Sequence, residues 1–278
     1  MKPVFIISQL ARSAPDPVLQ TLTCVLGPAH LVPIDRFPEA LQAAGRLVVY
    51  LHQDADCYRM LDLLQNQVDR LLDIPLGWVL PSGLGLTPEM IKKQLGALDM
   101  SCMTVPDHRD ITPIIDFSLE LRQRPADREG LMPPADLKPY IEAFLSGHNT
   151  CTLSTCYLGQ VSSRPIEYRY ANAKLYMVSE GGEKFAGLLT NHQAAVTVNE
   201  PYQGFNKLAG LQLKGQGSLQ LPGSELYQSA ISAFNLNPGR IEALPTSLNI
   251  IVVHLEEAEY LWSGFKNLGL DVRQTYHF

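Results

Sequence analysis

The stretch RYANAKLYMVSEGGEKFAGLL, residues 169–189, decides the fold of the C-terminal half of this chain. An apolar run ends at Ser179, Gly181-Gly182 follows, and a helical pattern begins at Glu183, which predicts a strand, a tight turn and a helix over 183–190. Glycines let backbone amides approach a ligand, so the turn together with Lys184 indicates an anion site. A capped helix with a solvated lysine explains these residues equally well.

The preceding strand adds a second cation to this turn. Asn172-Ala173 predicts a two-residue hairpin, which brings Arg164 near the strand that ends at Ser179. Two positive charges then converge, and this favours the anion site over the capped helix. Glu180 and Glu183 would repel a phosphate if they faced it.

Most of the C-terminal half consists of short apolar segments separated by turn residues. Helices are expected at 135–147 and at 224–234, the latter capped by Ser224. This rhythm predicts a mainly antiparallel β barrel with a few helices.

Residues 135–275 resemble the FMN-binding split barrel of the pyridoxamine 5'-phosphate oxidase-like superfamily. The matching segments are SRPIEY (163–168), KLYMVSEGGEKFAGL (174–188), AAVTVNEPY (194–202) and LAGLQLKGQGSLQL (208–221). The resemblance implies that Arg164 and Lys184 bind the flavin phosphate and that Ser179 and Glu180 begin the turn around it. It further implies contacts to the ribityl chain and ring from Ser162, Ser163, Pro165 and Ile166, and to the ring from Gln212.

The same resemblance implies a homodimer with the flavin at the subunit interface, where Trp262, Tyr202 and Phe205 are candidate contacts from the partner. The substrate-binding motif of true pyridoxamine phosphate oxidases has no match in DVRQTYHF, although Arg273 and His277 have the right residue types. We therefore predict an FMN-dependent oxidoreductase acting on an unknown small molecule or electron donor, with the catalytic residues unidentified.

A second function class stays open beside the enzyme. A related branch of this barrel binds haem, and His277 is then the candidate axial ligand. The alternative is thus a haem- or flavin-binding sensor or carrier without turnover, with haem in place of FMN as cofactor.

The first half of the chain has a different rhythm. Five apolar runs alternate with helical patterns, among them a helix over 56–73 and another over 87–98 with Thr87 at its N-cap. Strands separated by helices indicate parallel pairing, so we predict an α/β doubly wound domain over residues 1–124 and a split barrel over 133–278. Proline, glycine and charge mark the linker at 123–134.

The N-terminal domain resembles a degenerate receiver or a flavodoxin-like domain. A receiver needs acids after the first strand, an aspartate ending the third and a lysine ending the fifth. This chain has SQLAR, His52 and PDH at those places, so the resemblance does not imply phosphorylation.

Composition narrows the classes of partner. Charged residues are 18% and the net charge is −6, which is typical of a soluble globular protein and argues against a nucleic-acid partner. No window approaches the ~18 apolar residues of a membrane span, and the N-terminus lacks signal-peptide features. The five cysteines form no CxxC and are interpreted as buried thiols in a reducing compartment, so we predict a cytoplasmic protein with no membrane partner.

Two further kinds of site have no signature in the sequence. It contains no GxSxG, HExxH, GxxxxGK[ST] or GxGxxG motif, so self-contained hydrolysis and nucleotide-phosphate chemistry are not predicted. The seven histidines lack ligand spacing, and no metal site is predicted either.

Overall fold

A computed structural model describes residues 3–11, 14–27, 29–96, 98–105, 110–124, 130–237, 239, 241, 244, 246 and 248–278. The chain divides into two compact units, Met1–Glu129 and Gly130–Phe278. Residues 125–129 of the predicted linker and the PDH segment lie outside the described residues.

The first unit is built on a parallel sheet. Its described strands are β1 (Val4–Ile7), β2 (Ala29–Val32), β3 (Arg46–Tyr50), β4 (Leu76–Pro81) and β5 (Met100–Val105). They pair in the order β2-β1-β3-β4-β5, with every neighbouring pair parallel. This is the strand order of flavodoxin-like sheets. Strands β3 and β4 are buried throughout, as strands covered on both faces should be.

Helices cover both faces of this sheet, which confirms the α/β doubly wound prediction. The described helices are α1 (Pro17–Val25), α2 (Phe37–Ala43), α3 (Asp54–Gln65), α4 (Val68–Leu71), α5 (Pro88–Leu95) and α6 (Thr112–Gln123). One apolar cluster joins α2, α3, α4 and α5 to the sheet through residues such as Met60 and Ile91. A second joins α1 and α6 through Leu22 and Phe117.

Local signals place several helix ends as predicted. Thr87 Oγ1 accepts from the amide of Met90 at 3.4 Å, directly before Pro88. The single helix predicted over 56–73 is instead two, because the chain leaves helical geometry at Gln67. The apolar stripe continues across this break into one core, so periodicity alone does not reveal it.

The second unit begins with α7 (Pro134–Gly147) and then forms a closed sheet. Its described strands are β6 (Thr150–Tyr157), β7 (Gln160–Ala171), β8 (Lys174–Ser179), β9 (Gln193–Asn199), β10 (Ala209–Gln220), β11 (Asn249–Trp262) and β12 (Arg273–His277). They pair in the order β10-β9-β6-β7-β8-β11-β12, and β10 also pairs with β11. Six antiparallel strands therefore close into a barrel. The seventh, β12, lies outside this ring and pairs with the C-terminal part of β11. This confirms the predicted split barrel.

Two shorter elements complete the barrel unit. Helix α8 (Lys184–Thr190) packs on β6, where a Cβ at Gly187 would lie 2.9 Å from the backbone N and O of Cys156. Helix α9 (Glu225–Ala233) is capped by Ser224, whose Oγ accepts from the amide of Tyr227 at 3.2 Å. Among the described helices, none combines the length and the apolarity that crossing a bilayer requires.

Candidate functional site

Lys184 is the first residue of α8, and the residue is only 8% exposed. Its ammonium group donates to the carbonyl oxygen of Gly181. Burial lowers the pKa of this ammonium, and the positive charge of Arg164 lowers it further. A buried cation is costly unless it is paired, so this group is set to gain from a nearby anion.

Arg164 reaches the same turn from β7. Its Nη2 donates to Glu183 Oε2 at 2.9 Å, and its Nη1 donates to the carbonyl of Ser163 at 3.0 Å. The guanidinium is close enough to Lys184 to disfavour the charged ammonium. The hairpin that brings it here has φ of 50° at Asn172 and 58° at Ala173, the conformation expected of a two-residue turn. The structure thus brings together the two cations that the sequence singled out.

The turn between Arg164 and Lys184 is held by hydrogen bonds within the turn and by Asn249. The amide of Gly181 donates to Ser179 Oγ at 3.4 Å, and Asn249 Nδ2 lies 3.3 Å from the carbonyl of Ser179 and 3.4 Å from that of Glu180. Gly182 has a φ of 115°, a conformation that L side chains rarely adopt. Asn249 was not predicted, because it lies on β11, far along the chain, and no local pattern marks it.

The helix that follows is shorter than the sequence suggested. α8 has seven residues, and Glu183 at its N-cap makes no side-chain hydrogen bond to the backbone. So short a helix carries little dipole, and affinity for an anion must come mainly from the Arg164 and Lys184 side chains.

The predicted residues of β7 fall on two faces of the barrel. Residues directly opposite each other in antiparallel strands share a face. Ser162, Arg164 and Ile166 lie opposite the buried residues Thr155, Leu153 and Cys151, which places them on the inner face. Ser163 and Pro165 point to the outer face, where Ser163 Oγ pairs with Ser154 Oγ.

Ser162 differs from its neighbours in having an unused polar atom. Its Oγ is buried and has no hydrogen-bond partner within the described part of the chain. Most buried polar groups are hydrogen-bonded, so an unpaired hydroxyl on the same strand face as Arg164 is consistent with a ligand contact.

Gln212 does not join this group within one chain. It lies on β10 between Thr197 of β9 and Glu259 of β11, with its side chain on the exposed outer face. Strands β9 and β6 separate β10 from β7 in the sheet order. A contact from Gln212 to the same ligand therefore requires a ligand that extends along the outer surface.

The residues predicted to contact a partner subunit differ in exposure. Tyr202 and Phe205 are 65% and 80% exposed, and their rings form an edge contact at 6.1 Å. Trp262 instead packs against Tyr260 and Phe265.

The two C-terminal candidates lie on β12. Arg273 Nε is 3.4 Å from Glu259 Oε1, and His277 is exposed opposite Glu257. A separate cavity of 180 Å³ is lined by Asn206, Ser263, Gly264, Lys266 and Asn267. It includes none of the residues predicted from the sequence.

Other reactive groups offer no second centre in the described residues. No cluster of three or more His, Cys, Asp or Glu side chains is placed to hold a metal ion there. Burial raises the pKa of the Cys57, Cys102 and Cys151 thiols to about 12, as expected of inert thiols. Cys24 is exposed and Cys102 and Cys156 are only partly buried, contrary to the prediction of five buried thiols.

Comparison with protein families supports the barrel. Residues 137–262, just under half of the chain, match the family model described as Pyridoxamine 5'-phosphate oxidase. The C-terminal unit is therefore similar to this family over most of its length, in agreement with its closed six-stranded antiparallel barrel. No curated protein sequence matches the chain.

Three solved structures illustrate what the barrel is similar to. A FAD-binding protein from Mesorhizobium loti is 19% identical, with 43% of this chain and 90% of that chain covered and a TM-score of 0.34. HutZ, a haem storage protein from Vibrio cholerae, is 18% identical over the same shares, with a TM-score of 0.37. A Clostridium acetobutylicum protein related to general stress protein 26 of the pyridoxinephosphate oxidase family is 13% identical over 53% and 97%, with a TM-score of 0.38. The flavin and haem in two of these names belong to those proteins.

Proposed function

We propose that the C-terminal unit binds FMN with the phosphate between Arg164 and Lys184, and that the protein is an FMN-dependent oxidoreductase acting on a small molecule or electron donor. The observation that carries this proposal is the ammonium group of the buried residue Lys184. Within the described residues it contacts a backbone carbonyl and no carboxylate, and a second cation lies beside it.

The residues present suit the phosphate end of FMN. A phosphate monoester offers oxygen atoms that accept from Arg164 and from Lys184, and charge-assisted bonds of this kind are about twice as strong as neutral ones. The hydroxyls of Ser162 and Ser179 and the backbone of Glu180 lie along the same turn and inner strand face. The buried, unpaired Oγ of Ser162 would gain a partner from such a ligand.

In this mechanism the protein binds and orients, and bound FMN supplies hydride and electron transfer. Arg164 and Lys184 hold the phosphate, which fixes one end of the cofactor. Ile166 offers apolar contact on the inner face of β7. Ser163, Pro165 and Gln212 lie on the outer face, where a flavin shared between two subunits would reach them.

We further propose that two copies of the chain form the complete site. The exposed pair Tyr202 and Phe205 supports this, because large apolar side chains at such exposure are suited to contact with a partner. Sedimentation equilibrium of the purified protein tests the dimer. The free thiols of the five cysteines support a reducing compartment, and we propose the cytoplasm.

The test is an absorbance spectrum of the purified protein before and after adding FMN, followed by titration. We expect flavin bands with the wild type and a loss of FMN affinity of at least about 100-fold in Arg164→Ala/Lys184→Ala, because two charge-assisted contacts are lost. The control Lys138→Ala/Lys214→Ala removes the same charge from exposed lysines paired with Glu142 and Glu257 and should bind FMN normally.

The spectrum and a turnover assay also separate the alternatives. Oxidation of a nicotinamide cofactor by the flavin-loaded protein supports an enzyme, whereas FMN binding without turnover supports a sensor or carrier. A Soret band with haem and no affinity for FMN would overturn the flavin proposal.

A further inference from the structure

The carboxylate of Glu183 occupies the arginine of the anion site. Arg164 Nη2 donates to Glu183 Oε2 at 2.9 Å. Within the described part of the chain, no other carboxylate pairs with Arg164 or with Lys184. The arginine that the proposed function assigns to a ligand phosphate therefore already holds an anion supplied by the protein.

Glu183 makes no second side-chain contact with the described residues that would explain its position. It is the N-cap of α8, yet its side chain accepts no hydrogen bond from the first turn, as a structural cap would. The side chain is 78% exposed, and that of Arg164 is 53% exposed. Within the described residues, Arg164 is thus the one group that holds this carboxylate, which can rotate into solvent.

We infer that Glu183 is a built-in competitor that occupies Arg164 in the ligand-free protein and leaves when a phosphate monoester binds. This inference rests on the phosphate site of the proposed function. An exposed ion pair contributes little, so exchange is easy. A phosphate dianion offers Arg164 two parallel hydrogen bonds and offers Lys184 a third oxygen.

The competitor also defines which ligands the site accepts. A ligand with a single carboxylate has two oxygens, so it can replace the Glu183 contact with Arg164, but it cannot give Arg164 two parallel hydrogen bonds and Lys184 a third oxygen. A phosphate dianion replaces that contact and adds one to the buried ammonium of Lys184. The site therefore favours phosphate monoesters over carboxylate ligands.

The test is the affinity of Glu183→Gln for three ligands, measured by calorimetry for FMN and riboflavin and by thermal shift for inorganic phosphate. Removing the competing and repelling charge should tighten FMN and inorganic phosphate by about fivefold. Riboflavin lacks the phosphate, and its affinity should not change. Because Glu183 is exposed, the variant should fold normally.

Two controls isolate the contact. Glu39→Gln removes the same charge from an exposed glutamate that pairs with Arg36 in the first unit, and should change FMN affinity by less than about twofold. In an Arg164→Ala background, Glu183→Gln should lose its effect, because the competed group is gone.

The outcomes separate this inference from the proposed function. FMN binding with equal affinity in wild type and Glu183→Gln overturns the competitor and leaves the FMN site intact. Tighter inorganic phosphate in Glu183→Gln, with no FMN bound by either protein, supports the competitor and overturns the FMN proposal. No tightening of either ligand overturns the inference.

Discussion

Among the described residues, each unit buries one cation, and the two cations have different kinds of partner. Arg46 in the parallel sheet is 7% exposed, and Lys184 in the barrel is 8% exposed. Arg46 donates to the carbonyls of Leu121, Arg122 and Arg124 at 3.1, 2.9 and 2.7 Å. It therefore satisfies orphan carbonyls at the end of α6. Among the described residues, Lys184 donates to the carbonyl of Gly181 in an exposed turn, and its ammonium lies 5.1 Å from the centroid of the Phe185 ring.

The hydrogen-bond partners distinguish a structural cation from a ligand-binding one. The partners of Arg46 are backbone groups at the end of a packed helix, so releasing it would leave those carbonyls unpaired. The partner of Lys184 belongs to a glycine turn at the surface, and a ligand oxygen can replace it. Burial and a lowered pKa are common to both residues, and only the partners differ.

The largest effect is expected when Arg46, the structural cation, is substituted. Arg46→Ala should lower the free energy of unfolding of the first unit by about 3 kcal/mol, because three carbonyls at the end of α6 lose a charged donor. Urea denaturation measures the free energy of unfolding, and hydrogen exchange assigns the loss to the first unit. Lys93→Ala, an exposed change on α5, should stay within about 0.5 kcal/mol. A loss below about 1 kcal/mol in Arg46→Ala would refute the structural role.

The next largest effect is a pH dependence of FMN affinity, caused by the titration of Lys184. The pKa of Lys184 is lowered on folding, so its ammonium loses its charge at a lower pH than that of a free lysine. FMN affinity should fall by about tenfold as pH rises through this pKa, because one charge-assisted bond is lost. Fluorescence titration with FMN between pH 7 and 10 measures the decline.

Lys184→Arg supplies the control, since a guanidinium keeps its charge over this range. An equal alkaline decline in the variant would remove Lys184 from the explanation. The ligand-free wild type should change in the opposite direction. A base whose pKa is lowered on folding costs stability while it is protonated, so the free energy of unfolding should rise as pH rises through the same range.

The smallest expected effect concerns the unpaired hydroxyl. Ser162→Ala removes no hydrogen bond that the described residues make, so the free energy of unfolding should stay within about 0.5 kcal/mol. FMN affinity should fall by about fivefold if the hydroxyl binds the cofactor. Ser229→Ala, which removes a hydroxyl bonded to Glu225 on α9, should leave FMN affinity unchanged. Unchanged affinity in Ser162→Ala would reduce the site to its two cations.

The sequence by itself determined the local elements and the class of each unit. Alternating apolar runs and helical spacing gave the parallel sheet with its helices, while short strands with tight turns gave the barrel. Thr87, Ser224 and the Asn172-Ala173 hairpin were readable because caps and turns depend on a few adjacent residues. The convergence of Arg164 and Lys184 followed from that hairpin, since it acts over a short span of chain.

Contacts between groups far apart in the sequence depend on the tertiary structure. The pairing of β10 with β11 closes the barrel, and apolar strands look alike in sequence, so no local pattern specifies it. Arg46 meets the end of α6, and Asn249 meets the turn at Ser179, in both cases across more than sixty residues. The break at Gln67, the outer position of Gln212 and the hold of Glu183 on Arg164 likewise depend on packing and on side-chain direction. These are global properties, whereas a sequence pattern records only local periodicity and propensity.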